Sequence, residues 1–198
     1  MQAIVVSMSE KKILLTTEIG SRLYGLAHEN SDYDTYTVVE YVPSKRKNNA
    51  RQSINGKDDA MVIDEKTFMF YAHQAIPQAL EAMFSPVAEA GPFLEAYRRN
   101  FRVGMATMHA KYRFHIQIEA HNGMKQRRHA LRWALNFREA LNNDGRFNPV
   151  LSEEEAEWVK ETANSKNFIA ELRKAFPYKL DLNEKAIRDT MEAENIHS

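Results

Sequence analysis

Asp32 and Asp34 stand at the head of a β-branched run, Thr35, Thr37, Val38 and Val39, which reads as a strand. Side chains two residues apart on a strand share a face, with about 6.5 Å between their Cα atoms. Two carboxylates therefore converge on one point, where they repel each other unless a cation or a proton sits between them. Oxygen-only donors of this kind suit hard ions such as Mg²⁺ or Mn²⁺. Taken alone, D-x-D fits a solvated pair at a strand edge or turn better than a metal site, so the surrounding residues must decide.

Upstream, the strand Ile13 to Thr17 is followed by Gly20-Ser21 and by a segment that can turn helical at Arg22. Free backbone N–H groups at a helix start, a glycine that admits a phosphate closely and a neighbouring hydroxyl make an anion site. The plainer reading is an N-cap serine beside a turn glycine. The joint spacing G-S-x3-G-x5-S-D-x-D places a phosphate cradle and a metal-binding carboxylate pair in one strand–turn–strand unit.

That spacing, and the wording GSRLYGLAHENSDYD, resembles the DNA polymerase β-type nucleotidyltransferase superfamily, in particular its RlaP-like, RNA repair pathway branch. The resemblance covers residues 12 to 40 closely, extends more loosely to about 140 and is absent beyond. It implies an α+β fold: a small mixed-sheet palm with helices on one side (1–90), then a helical C-terminal region (91–198). It also implies that Gly20 and Ser21 hold the triphosphate of a nucleotide and that Asp32 and Asp34 hold divalent metal, Mg²⁺ or Mn²⁺. A third carboxylate on a neighbouring strand would complete the metal site and orient or deprotonate the attacking hydroxyl. Asp58, Asp59 and Asp64 compete for that role. Asp64 precedes a helical pattern and is explained as its N-cap; Asp59, heading the strand Asp59 to Ile63, is the first choice and Asp58 the next. Arg22 either adds a phosphate contact or is a solvated first-turn arginine.

The 198 residues carry 27 basic and 27 acidic side chains, a balance that argues against non-specific, charge-driven nucleic-acid binding while leaving room for a local patch. With no cysteine, disulfides, zinc–thiolate sites and thiol nucleophiles are excluded. The opening MQAIVVSMSEKK lacks the basic and apolar blocks of a leader, and no run reaches the ~18 apolar residues of a membrane span, so a cytoplasmic protein is expected.

Beyond the palm core, Ser44 to Lys57 is polar and basic (Lys45, Arg46, Lys47, Arg51) and reads as a loop or hairpin tip, solvated or touching a polyanion. Residues 65 to 84 are helical by period, with Pro77 as a kink or restart. From Phe93 to about Ala120 an aromatic and methionine stripe predicts one long helix or two shorter ones with a core face. A further helix spans Met124 to about Leu141, and Lys125, Arg128, His129 and Arg132 fall on one of its faces. That stripe is either solvated or holds phosphate; a similar cluster in the RlaP-like proteins favours nucleotide binding by Lys125, Arg128 and His129. The other histidines, His28, His73, His109, His115 and His121, lack metal-ligand spacing. Ser152 to Glu155 forms a capping box, and a charged last helix is expected near Asn183 to Glu194.

The activity implied is transfer of a nucleoside monophosphate from an NTP, ATP included, to an acceptor hydroxyl with release of pyrophosphate. The RNA repair branch points to an RNA or tRNA 3′ end as acceptor. Two other readings stay open: the same fold modifying a protein or a small molecule, and a catalytically silent nucleotide-binding module.

Overall fold

The computed structural model describes residues 12–29, 31–41, 51–55 and 58–180. Most of the basic stretch 44–57 and the expected helix at 183–194 lie outside these residues.

Five strands, β1 (Ile13–Glu18), β2 (Asp34–Val39), β3 (Arg51–Asn55), β4 (Asp58–Asp64) and β5 (Glu89–Ala90), form one mixed sheet in the order β3-β4-β2-β1-β5. β1 and β2 are antiparallel, β2 and β4 parallel, and β3 folds back antiparallel on β4. The parallel pair has a register that matters: Asp34 lies opposite Asp59, Tyr36 opposite Met61 and Val38 opposite Ile63. Strand alternation puts all six on one face. Behind the two aspartates that face is core, with Tyr36, Val38 and Ile63 buried.

Eight helices are described, and most follow from local signals. α1 (Gly20–Leu23) is a single turn. α2 (Glu65–His73) starts on Asp64, which accepts from the Thr67 N–H at 3.0 Å, as expected of an N-cap. It closes with Ala75 in the left-handed region, φ 54, and Pro77 then opens α3 (Pro77–Phe84) at its first turn. The span 65–84 is thus two helices. The next span also divides, into α4 (Pro92–Asn100) and α5 (Met105–Ala120). α6 (Met124–Asn142) follows, then α7 (Glu153–Asn164) on its Ser152–Glu155 capping box, and α8 (Phe168–Ala175).

One expectation is corrected. Residues 51–55, read as part of a loop, are the edge strand β3, because pairing with β4 supplies the order that the polar sequence RQSIN does not advertise.

The core runs without a break from the sheet into the helices, joining Leu15, Tyr36 and Ile63 to Phe68, Tyr112, Phe137 and Phe176. α6 is its axis: every residue from Ala130 to Phe137 is buried, Arg132 and Asn136 among them. Polar groups in such a place need partners, and theirs lead to the cavity described next. Among the described residues, no helix is long and apolar enough to cross a membrane.

Candidate active site

The open end of the β2–β4 pair faces α5 and α6 across a cavity of about 500 Å³. One wall comes from the sheet and its turns, with Gly20, Ser21, Asp32, Asp34 and Asp59. The other comes from α5 and α6, with His115, Glu119, Lys125, His129, Arg132 and Trp133.

The carboxylates are placed by register. Asp34 and Asp59 are neighbours across the parallel ladder, and Asp32 lies two residues before the strand on the same side as Asp34. Their mutual repulsion is visible in Asp34, whose carboxyl is held above the usual range by partial burial, then by the charges of Asp32 and Asp59. Lys125 and an N–H of the Asp59 backbone oppose the shift. The Lys125 ammonium lies 3.1 Å from Oδ2 of Asp32, tying α6 to the carboxylate wall. Among the described residues, no three His, Cys, Asp or Glu side chains already form a metal cage.

Gly20 fits this site for a steric reason. It sits at φ +69, and a Cβ there would stand 2.7 Å from Asp34 Oδ2. Any side chain would have to displace the carboxylate. The Gly20 N–H donates to Glu81 Oε2 at 3.0 Å, while Oε1 of Glu81 accepts from the Tyr24 hydroxyl at 3.0 Å. The Tyr24 oxygen in turn accepts from Asn136 Nδ2 at 2.7 Å, and the Arg132 guanidinium lies over the Tyr24 ring at 3.8 Å. Glu81 is only 3% exposed in a helix whose residues are otherwise buried except for Gln78. Its two oxygens are satisfied, so the carboxylate fixes the glycine turn from below.

The basic stripe read along α6 separates into different environments. Lys125 meets Asp32. His129 lines the cavity, but burial first, then Arg132 and Lys125, push its pKa down to about 3, so it is neutral at physiological pH. Arg132 is buried in the wall. Arg128 does not line the cavity; its Nη2 meets Met124 Sδ at 3.8 Å. Arg22 does not line it either: it donates to the carbonyls of Asp32 and Ser31, both at 3.3 Å, and lies 5.2 Å from the Tyr33 ring. It braces the loop that carries Asp32.

Sequence reasoning missed Glu81, Glu119 and His115. For Glu81 a signal existed, a single charge inside the apolar helix PQALEAMF. His115 and Glu119 are one turn apart on α5, whose charges are spread around the helix and conceal the cavity face.

A model of the RNA repair pathway DNA polymerase beta family, RlaP, matches residues 2–194. No curated protein matches the chain.

Proposed function

The chain belongs to the RNA repair pathway DNA polymerase beta family, and from that premise we propose that it transfers a nucleoside monophosphate from an NTP to an acceptor hydroxyl, with an RNA 3′ end, tRNA included, as acceptor. Family membership carries the coarser statement, a nucleotidyltransferase-type function on a nucleotide substrate. The observation that supports the finer one most is the meeting of the glycine turn with the carboxylates: Gly20 abuts Asp34, and Asp34 is in register with Asp59. The division into a palm, 1–90, and a helical region, 91–198, is part of the same reading.

The donor set fits Mg²⁺ or Mn²⁺. It is all oxygen, and Asp34, pushed upward first by partial burial and then by the charges of Asp32 and Asp59, stands among negative charge that a cation would relieve. Asp32, Asp34 and Asp59 would hold the metal, which when bound supplies charge stabilisation for the attacking and leaving oxygens. The residues of the chain do the rest. Gly20 and Ser21 seat the triphosphate, the glycine by leaving room and the serine by its hydroxyl. Lys125 keeps a positive charge beside Asp32 where phosphate oxygens would arrive, and His129, being neutral, contributes a hydrogen bond rather than a charge. Asp59 accepts the proton of the acceptor hydroxyl as its oxygen bonds to the α-phosphorus and pyrophosphate leaves. Arg22 acts on this centre through the Asp32 loop, while Arg128, outside the cavity, has no contact among the described residues that would bring it to the nucleotide.

The test is incubation of the protein with each α-labelled NTP, Mg²⁺ or Mn²⁺, and total RNA or total protein, beside an Asp32→Ala/Asp34→Ala variant. Label in RNA with the intact chain alone is the expected result. Label in protein would transfer the reading to nucleotidylation of a partner, and binding without label in any fraction, small molecules included, would sink the transferase reading.

A further inference from the structure

The helical wall of the cavity holds polar groups that the transfer chemistry above does not use. Glu119, Arg132 and Trp133 all line it. Arg132 is 3% exposed and Trp133 7%, yet among the described residues Arg132 Nε, Trp133 Nε1 and Glu119 Oε2 are buried without a hydrogen-bond partner. The Arg132 guanidinium rests on the Tyr24 ring, which satisfies its flat face and leaves its Nε–H without an acceptor. Unmet buried donors and acceptors are costly. The three side chains that carry them line one cavity, which points to a ligand that meets them there.

The mixture of groups narrows the ligand. A phosphate would suit Arg132 and the Trp133 N–H but would confront the Glu119 carboxyl. A flat heterocycle with a donor beside an acceptor on its edge suits all three. The surroundings agree: the Trp133 ring packs edge-on against His115 at 5.5 Å and tilted against His129 at 5.8 Å. Burial pushes the His115 pKa down to about 4, so both histidines present neutral rings. Burial shifts the Glu119 carboxyl upward, against the pull of the Arg132 charge. We propose that Glu119, Arg132 and Trp133 form the subsite for the base of the nucleotide, reading its hydrogen-bonding edge while the triphosphate points to the carboxylate wall. This subsite rests on the nucleotidyltransferase reading and extends it to the choice of NTP.

Calorimetric titration of the full chain with each of the four NTPs, and with inorganic tripolyphosphate, in Mg²⁺ tests it. The variants are Glu119→Ala, Glu119→Gln and Trp133→Phe, with thermal melts to establish that each is folded. Glu119→Ala should weaken the preferred NTP about tenfold and leave tripolyphosphate within about twofold. Glu119→Gln, which keeps one acceptor and replaces the other oxygen with an N–H donor, should re-rank the four NTPs, and Trp133→Phe should cost less than Glu119→Ala. Equal losses for NTPs and tripolyphosphate would assign the wall to phosphate, and unchanged binding in folded variants would make it structural; either overturns the subsite and leaves the transferase reading standing. Failure of the intact chain to bind any NTP would overturn both.

Discussion

Two glycines in this molecule meet the same local demand and serve different ends. Gly20 and Gly145 both have φ near +70, and at each a Cβ would come within 3 Å of an oxygen. At Gly145 that oxygen is the Val103 carbonyl, 2.6 Å away, and the Val103 N–H donates back to Gly145 O at 3.0 Å. At Gly20 it is the Asp34 carboxylate. Backbone cannot yield without moving a helix connection; a carboxylate can rotate, at the expense of its position. One glycine protects the fold, the other the geometry of a site.

Substitution should separate them. Gly145→Ala is expected to cost about 3 kcal/mol or more of stability, from the left-handed backbone and the clash together, while the activity of the folded fraction is kept. Thermal melts and activity per folded molecule measure both, and a small loss of stability would show that the α4–α5 connection can give. Gly20→Ala should do the reverse, lowering transfer about a hundredfold, equivalent to about 2.7 kcal/mol of barrier, with a stability cost nearer 1 kcal/mol. Full activity in Gly20→Ala would break the comparison.

Glu81→Gln sharpens it. The amide keeps one acceptor but turns N–H groups toward either Gly20 or Tyr24, so about 1–2 kcal/mol of stability should go. Transfer should fall along with it because the glycine turn loses its anchor. A variant that loses stability but not transfer would make Glu81 part of the fold alone.

The histidines of the helical wall add a dependence on pH. Both have folded pKa values below the ordinary 6.5, so the unfolded chain binds more protons between about 6.5 and 3 to 4. Stability from this source is full above pH 6.5 and falls on acidification. His129→Gln should flatten that acid limb in melts taken from pH 7 to pH 4, and an unchanged limb would assign it to other groups. Smallest is Asp34→Asn: relief of repulsion should leave the ligand-free protein equally stable or up to about 0.5 kcal/mol more so, after solvent screening, although transfer is lost. A clear drop in stability would contradict the strained carboxylate cluster.

The contrast between the glycines also explains what could be read before the fold was known. Gly20 was legible because its neighbours in sequence, Ser21, Asp32 and Asp34, are its neighbours in space. Asp64 and the Ser152–Glu155 pair were legible for the same reason: caps act within one turn. Glu81 was not, since its partners Gly20, Tyr24 and Asn136 come from three elements, the last of them 112 residues from Tyr24. β3 was hidden differently. Its order comes from the strand beside it, and RQSIN read alone has the composition of a turn. The basic stripe on α6 had the right period, but periodicity cannot say which of four cations is buried, neutralised or turned away.

The in-register pairing of β2 with β4 also bears on how the protein comes into being. Residues 20 to 34 leave the ribosome with the glycine turn and two of the three carboxylates, and nothing local completes the set. The third arrives only when β4 docks beside β2, and Lys125 only when α6 closes over both. A slip of one residue in one direction would bring Ala60 beside Asp34, in the other Asp58, and either would turn Asp59 to the opposite face. On the proposed reading of the site, a nascent or misregistered chain therefore carries most of the parts and none of the assembled centre, and chemistry on a nucleotide would wait until the ladder is correctly zipped.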